Sequence, residues 1–219
     1  MNISVYRILA VDNGEAAEIS LEISNGRESQ QIKGTVCASM FAELGLPLNL
    51  KEPLPIERSR CEEILRCMKL YSAIKKGICL LSYARNTAKA LTHKLKMKGY
   101  PDDIAEEAVT YLKEHGYIRE RDEAVLFAEQ LARHKSYGKN RIRKEMFAKG
   151  FPEDVIRETL EITEIDFSEI CVRRIRSMGG SGIFENAAER NKAMSALMRY
   201  GFSSHEIRCA IALLKNEDE

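Results

Sequence analysis

The residues of this chain that could bind a metal or carry out covalent chemistry are its cysteines and histidines. None of the six cysteines forms a C-x-x-C pair, and none stands with a histidine in a metal-ligand pattern. Most lie in apolar stretches, where a free cysteine behaves as a small hydrophobic side chain. We therefore expect reduced thiols in a cytoplasmic protein, with no metal and no cofactor. The cysteines are Cys37, Cys61, Cys67, Cys79, Cys171 and Cys209.

Patterns typical of catalysis are also weak. Residues 179–182 are glycine-rich, but no lysine with a serine or threonine follows them, as a phosphate-binding loop would require. Adjacent acids such as Glu106 and Glu107 are most simply solvated. The histidines stand among helix-surface residues, which is typical of solvated side chains. They are His93, His115, His134 and His205. We predict that the protein is not an enzyme.

Charge offers a stronger signal, although the net charge is only +1. Residues 85–98 carry five lysines and arginines and no acid, and residues 102–114 carry five acids and one lysine. Residues 133–149 carry seven lysines and arginines and one acid, and residues 152–161 carry four acids and one arginine. Basic and acidic segments therefore alternate, which is typical either of solvated helix faces or of a surface that meets a charged partner.

The basic segments contain the candidate binding residues. Arginine and lysine suit both carboxylates of a protein and phosphates of a nucleic acid, so sequence alone leaves the partner's chemistry open. We expect their charge to be uncompensated and therefore useful for meeting an anionic partner. The candidate residues are Lys89, Lys94, Lys96, Lys139, Arg141, Arg143 and Lys144.

An internal repeat predicts the elements that position these residues. Residues 98–104 (KGYPDDI) return as residues 149–155 (KGFPEDV) and, less clearly, as residues 200–207. The glycines of the three copies, Gly99, Gly150 and Gly201, are spaced by 51 residues. A fixed period indicates a tandem repeat architecture.

Each glycine follows one amphipathic segment and precedes another. Glycine can adopt the left-handed conformation that ends a helix, so each copy predicts a helix, a capped turn and a second helix. We accordingly expect Gly150→Val to destabilise the protein by about 1 kcal/mol or more. Apolar residues four before the glycines, namely Leu95, Met146 and Leu197, are expected in the core. Phe147 lies off that face and either contacts the neighbouring repeat or belongs to a partner surface.

Residues beside the turns predict where helices begin. Pro101 and Pro152 suit the first turn of the helix that follows each glycine. Thr87 is the expected N-cap of the basic helix predicted at 87–98.

The N-terminal region has a different pattern. Residues 1–35 alternate between apolar and polar positions and contain two Asn-Gly turn signals, which predicts two or three short antiparallel strands. A short helix is predicted at 36–44 and a proline-rich connector at 47–55. The fold class is therefore mainly α, with tandem three-helix repeats in an elongated, curved array and a small β-rich N-terminal extension. From residue 60 onward we expect helices alone.

Four segments follow from these patterns. They are a β-rich module at 1–55, a lead helix with the first three-helix repeat at 56–118, a second repeat at 119–164 and a third repeat at 165–219. No sequence stretch is long enough to span a bilayer, so we expect no membrane contact, and we expect a monomer.

Five stretches of the sequence carry a family resemblance: residues 80–87 (LLSYARNT), 95–100, 116–118, 137–146 (YGKNRIRKEM) and 149–151. In these stretches the chain resembles the RecX family, regulatory proteins of the RecA recombinase. The resemblance covers about 72–214 and is weaker in the third repeat. The β-rich N-terminus also resembles the extension of some Gram-positive members. Two departures are Arg119-Glu120-Arg121, where the family usually has an acidic pair, and the glycine-rich loop at 179–182.

The resemblance implies an inhibitor or modulator that binds in the groove of the RecA–single-stranded DNA filament. Such a protein limits ATP hydrolysis, strand exchange and co-protease activity in DNA repair and the SOS response. Some family members also bind DNA. The alternative is a helical-repeat DNA-binding module that acts without RecA, which the basic helices favour. Tight binding to bare single-stranded DNA that weakens steeply with salt would indicate the alternative.

Overall fold

The computed structural model describes residues 2–26 and 28–217, with the side chain of Glu217 left out. The chain forms two compact units. Of the described residues, the first unit comprises those up to Asn86 together with 91–118, and the second comprises 87–90 together with 119–217.

The first unit opens with an antiparallel sheet of order β3-β2-β1-β4. The strands are β1 (Asn2–Val11), β2 (Ala16–Ser24), β3 (Ser29–Cys37) and β4 (Leu54–Pro55). The prediction of two or three antiparallel strands at 1–35 is confirmed by three, but it differs from the structure in two respects. Three strands are nine or ten residues long, and a fourth lies in the predicted connector. Strand β4 is held beside β1 by the Ile56 N–H, which donates to Ile3 O over 2.9 Å. Pro55 is tolerated in β4 because β4 is an edge strand.

Two helices follow the sheet. Helix α1 (Ala38–Leu44) starts two residues later than predicted, because Val36 and Cys37 pair with β2, and it ends at Gly45 with a left-handed φ of 55°. Helix α2 (Arg58–Tyr83) runs unbroken for 26 residues. A Cβ at Gly77 would lie 2.5 Å from Leu112 Cδ1, so glycine serves close packing there rather than a break.

Helices form the rest of both units, and among the described residues no strand follows Pro55, which confirms the predicted change to helix. Helices α3 (Ala88–Met97) and α4 (Asp102–Glu114) complete the first repeat. The second repeat contains α5 (Glu120–Lys135), α6 (Lys139–Lys149) and α7 (Glu153–Ile162). The third contains α8 (Phe167–Met178), α9 (Ala187–Arg199) and α10 (Ser204–Glu217). The first turn of α3 belongs to the second unit.

The repeated glycines adopt the predicted left-handed conformation, with φ of 88° at Gly99, 94° at Gly150 and 95° at Gly201. Each turn has the same hydrogen bonds. At Gly150, the glycine N–H donates to Phe147 O and the Phe151 N–H donates to Met146 O, over 3.0 and 3.1 Å. This pairing is the Schellman motif, which satisfies the last helical carbonyls. The buried positions of Leu95, Met146 and Leu197 confirm the predicted core faces.

Local caps define where the following helices start. Pro101 and Pro152 stand at the N-cap, with ψ near 150°, rather than inside the first turn as predicted. In the third repeat the Glu206 N–H donates to Ser203 Oγ, and the Ser203 N–H donates to the Glu206 carboxylate, over 3.2 and 2.6 Å. This reciprocal capping box stands where the other copies have proline.

The core of the second unit contains one thiol whose chemistry can be tested. Burial raises the pKa of Cys171 to about 12, from an ordinary value of 9.0, with a smaller contribution from Glu206. The thiol is therefore neutral in the folded protein at pH values where the unfolded chain ionises it. Stability from this group is complete below pH 9 and is lost as pH rises toward 12, by up to about 1.4 kcal/mol per pH unit.

We expect the urea midpoint of the wild type to fall more steeply between pH 9 and 11 than that of Cys171→Ala. Because tyrosines also ionise in this range, the difference between the two slopes isolates Cys171. Parallel slopes would show that the thiol ionises equally in both states.

Candidate partner-binding surface

Two of the candidate residues lie in the first unit and already have partners. Lys96 Nζ lies 2.9 Å from a Glu106 carboxylate oxygen and 3.3 Å from an Asp102 oxygen. The hydrogen bond to Glu106 is the main cause of a raised Lys96 pKa. Lys94 Nζ donates to Asn86 Oδ1. The acidic helix α4 thus neutralises part of the basic helix before it.

Two more candidates are paired in the second unit. Arg141 lies 2.7 Å from Glu145 on the same helix, and Arg143 lies 3.4 Å from Glu153 at the start of α7. The expectation of uncompensated charge is therefore wrong for Lys96, Arg141 and Arg143. For Lys96 and Arg143 the physical reason is that each Schellman turn brings the acidic start of the next helix back beside the basic helix.

The remaining candidates, Lys89, Lys139 and Lys144, are exposed and take part in no ion pair within the described part of the chain. Lys89 Nζ lies 5.9 Å from the centre of the Phe147 ring. Phe147 is 62% exposed, so it lies at the surface while touching a lysine of the preceding repeat. The contact with the neighbouring repeat is thus confirmed, and the place of Phe147 in a partner surface stays a prediction.

Consecutive middle helices of the second unit meet end to end. The Gly138 N–H donates to Tyr200 O over 2.9 Å, and the Asn140 N–H donates to Gly201 O over 3.1 Å. The last turn of α9 therefore caps the first turn of α6. In the same way Lys149, at the end of α6, accepts a hydrogen bond from Thr87 Oγ1 over 3.1 Å, just before α3 begins. The repeat period creates the same junction twice.

Each junction carries an exposed apolar residue beside cations. The junction of α9 with α6 encloses a shallow cleft of about 430 Å³ whose lining contains no acid. Met198, 49% exposed, lies there and is separated by 51 residues from Phe147 at the other junction. The cleft residues are Asn140, Arg141, Lys144, Met198, Arg199 and Gly201. Sequence reasoning missed Met198 and Arg199, although the 51-residue period could have identified Met198.

We call the exposed set at the two junctions the junction surface; it comprises Lys89, Lys144, Phe147, Met198 and Arg199. It combines cations that have no described ion pair with two exposed apolar side chains. Such a combination can contact an anionic partner through both charge and apolar area.

The N-terminus of α3 is held by two side chains. Thr87 Oγ1 accepts the Ala90 N–H over 3.2 Å, as predicted for an N-cap, and Glu120 Oε1 accepts the Ala88 N–H over 3.0 Å. Glu120 is only 7% exposed. The glutamate of the unusual Arg119-Glu120-Arg121 segment therefore has a structural role that the sequence did not indicate.

We expect Thr87→Val to destabilise the protein by about 1–2 kcal/mol, because it removes both the cap and the hydrogen bond to Lys149 O. Valine retains the shape of threonine, so the loss reports the hydroxyl. Chemical unfolding followed by circular dichroism measures it. The matched control is Thr110→Val, which removes an exposed hydroxyl that donates to Glu106 O within the same helix, α4. Equal effects of the two substitutions would contradict the junction role of Thr87.

The described residues contain no group of three or more side chains that could hold a metal ion. All six cysteines are free. Cys209 Sγ lies 3.6 Å from His205 Nε2, four residues away on α10, so the expectation that no cysteine stands with a histidine at ligand spacing is wrong for this pair. None of the described helices is both long and apolar enough to cross a bilayer.

Two family models match the chain. The first three-helix domain of RecX matches residues 73–112, and the second three-helix domain of RecX matches residues 124–160. Together they cover most of the first two repeats.

Curated relatives extend this similarity. The regulatory protein RecX of Vibrio cholerae is 30% identical over 139 residues, which are 64% of this chain and 91% of the relative. The Stenotrophomonas maltophilia protein of the same name is 31% identical over 140 residues, 63% of this chain and 83% of that one. The protein of that name from Caldanaerobacter subterraneus is 26% identical over 186 residues, 83% of this chain and 90% of that one.

Solved structures share the fold. A crystal structure of regulatory protein RecX aligns with a TM-score of 0.70 at 19% identity, covering 99% of this chain and 100% of that one. RecX from Lactobacillus salivarius aligns with a TM-score of 0.61 at 19% identity, covering 68% and 97%.

Proposed function

Since the chain belongs to the RecX family of regulatory proteins, we propose that it regulates the RecA recombinase by binding in the groove of the RecA–single-stranded DNA filament. Binding there limits ATP hydrolysis, strand exchange and co-protease activity in DNA repair and the SOS response. The protein acts in the cytoplasm as a monomer and performs no catalysis of its own.

The observation that supports this proposal best is the junction surface. A recombinase–DNA filament offers phosphates and carboxylates, which attract Lys89, Lys144 and Arg199. The filament also repeats along its axis, and the chain repeats its junctions with a period of 51 residues. Successive junctions can therefore meet successive equivalent positions of the partner, and each added contact strengthens binding through effective concentration.

The four candidate residues that are ion-paired or hydrogen-bonded within the chain also contact the filament in this proposal. Exposed ion pairs such as Arg143 with Glu153 contribute little to folding, about 0–1 kcal/mol, so they can exchange partners at small cost. We therefore include Lys94, Lys96, Arg141 and Arg143, together with Lys139, in the wider contact region. Residues without a described ion pair are expected to contribute more, because they need not break one first.

The test is DNA-dependent ATP hydrolysis by the cognate RecA with and without this protein. We expect hydrolysis to fall as the protein is added in amounts below one molecule per RecA subunit, because each chain offers more than one junction to the filament. Unchanged hydrolysis, together with unchanged filament length in electron micrographs, would contradict the proposal.

The alternative function is DNA binding without RecA, which the acid-free lining of the α9–α6 cleft favours. Anisotropy of a labelled oligothymidine distinguishes the two functions. A primary DNA binder loses affinity steeply with salt, with a slope set by the number of phosphates contacted. We expect weak binding to bare DNA and retained inhibition of ATP hydrolysis at the same salt concentration.

A further inference from the structure

The edge strand β3 borders a cleft of the first unit. The cleft has a volume of about 910 Å³, and four consecutive residues of β3, residues 32–35, line it. Side chains alternate between the two faces of a strand. A cavity lined by four residues in succession therefore runs along the strand's edge. The size is that of a typical ligand site.

The main-chain groups on this edge can be assigned from the register. At one end of the β2–β3 ladder the Ala38 N–H donates to Glu15 O over 2.9 Å, and at the other the Asn25 N–H donates to Glu28 O over 3.1 Å. Hydrogen-bonded pairs recur at every second residue between them. Ile32 and Gly34 therefore bond to β2, while the N–H and C=O groups of Lys33 and Thr35 point away from it, toward the open edge.

These outward groups accept and donate no main-chain hydrogen bond within residues 2–26 and 28–217. Helix α2 packs on the face of β3 instead, since a Cβ at Gly34 would lie 2.6 Å from Met68 Sδ. The edge of β3 is thus bordered by a cleft rather than by another strand. A strand edge whose main-chain N–H and C=O groups face no neighbouring strand commonly pairs with a strand of another chain.

The opposite wall of the cleft is basic. Five cationic side chains and two carboxylates line the cleft as a whole. Lys33 is paired with Glu18 at 2.9 Å, and Arg66 is paired with Glu107. The three other lysines form no ion pair among the described residues; they are Lys69, Lys75 and Lys98. Half-buried Ile32 and Leu65 add apolar surface between the two walls.

We propose that this cleft binds an extended, acidic peptide segment of a partner protein, which adds to the sheet as a strand beside β3. Its main chain pairs with Lys33 and Thr35, and its carboxylates meet Lys69 and Lys98. Main-chain pairing of this kind supplies affinity, while the side-chain contacts supply specificity. The proposal is independent of the junction surface, which belongs to the second unit.

Main-chain chemistry favours a peptide over DNA in this cleft. The outward carbonyls of Lys33 and Thr35 need hydrogen-bond donors, and the backbone of DNA offers only acceptors. A peptide presents donors and acceptors alternately at the spacing of a strand. The lysines of the cleft would attract an acidic peptide and DNA alike. The main-chain carbonyls at the edge of β3 distinguish the two, because only the peptide backbone can donate hydrogen bonds to them.

The first experiment measures fluorescence anisotropy of the full chain with a labelled hexapeptide that alternates glutamate and valine. The control peptide has lysine in place of every glutamate. We expect the acidic peptide to bind at least about tenfold more tightly at low salt, with the difference shrinking as salt is added. Equal affinities for the two peptides overturn the proposal.

Strand addition is tested with two N-methylated forms of the acidic peptide, one methylated at the odd positions and one at the even positions. An added strand turns only one of these two sets of N–H groups toward β3. One form should therefore lose binding by at least about tenfold while the other retains it. Equal retention in both forms would mean that charge alone holds the peptide, and would overturn strand addition.

The site is located with Lys69→Glu combined with Lys98→Glu. The matched control reverses two exposed charges of the same unit outside the cleft, Arg7→Glu with Lys51→Glu. We expect the first pair to weaken acidic-peptide binding at least about tenfold and the control pair to change it little. Equal effects of the two pairs would overturn the location. Binding of labelled oligothymidine that only the first pair weakens, without peptide binding, would assign the cleft to DNA and overturn the peptide.

Discussion

Gly201→Ala is expected to destabilise the protein by about 3 kcal/mol or more, a large part of a typical domain's stability. Two costs combine at this residue. Its φ of 95° is unfavourable for a residue with a Cβ, by about 1–2 kcal/mol. In addition, a Cβ there would lie 2.2 Å from Arg141 N, which is backbone and has no rotamer to change. The start of α6 must move away from the end of α9.

That movement would break the hydrogen bonds from Gly138 and Asn140 to Tyr200 and Gly201. Denaturant unfolding followed by circular dichroism measures the loss. Two other glycines separate the two costs. Gly99 has a φ of 88°, but no neighbouring atom lies within 4 Å of the position that a Cβ would take, so Gly99→Ala reports the conformational cost alone. Gly138 has an ordinary φ of −78°, and a Cβ there would lie 2.5 Å from Gly201 C, so Gly138→Ala reports the clash alone.

We expect Gly99→Ala to lower the free energy of unfolding by about 1 kcal/mol. Gly138→Ala and Gly201→Ala should each lower it by more. Gly182→Ala is the neutral reference, because no neighbour lies within 4 Å and φ is not positive. If Gly99→Ala and Gly201→Ala were equally destabilising, the close approach of α9 to α6 would contribute nothing to stability.

The second large effect is expected from reversing charge on the junction surface. A variant that combines Lys89→Glu, Lys144→Glu and Arg199→Glu should require at least about tenfold more protein for half-maximal inhibition of RecA ATP hydrolysis, because each attraction to an anionic filament becomes a repulsion. Helical content should be retained, since glutamate is a good helix former. Arg141 and Arg143 are left unchanged because their replacement would also break ion pairs to Glu145 and Glu153.

The matched control reverses three exposed cations of the same unit that lie outside the junction surface, in Lys135→Glu, Arg208→Glu and Lys215→Glu. Its net charge is identical, so any difference between the two variants reports position. Normal inhibition by a well-folded junction variant would place the contact elsewhere in the protein. Equal loss in both variants would indicate long-range charge rather than a defined surface.

Much of the fold follows from local patterns in the sequence. The 51-residue period identified three turns, and the glycines at these turns have the predicted left-handed φ. The apolar spacing identified core residues, and Thr87 was predicted as an N-cap. These features depend on residues within one or two helical turns of each other, so their physics is contained in short segments. Strand β4 was missed because it is only two residues long, Leu54–Pro55, and a segment so short and rich in proline has no strand pattern of its own.

The candidate surface shows what only the tertiary structure decides. Sequence grouped seven basic residues by type, but their partners depend on how the helices are placed around them, and three proved to be ion-paired. Met198 and Arg199 join Lys144 only because the end of α9 meets the start of α6. Gly138 is required by that same contact, at an ordinary φ. Contacts between residues tens of positions apart depend on packing of whole helices, which no local pattern encodes.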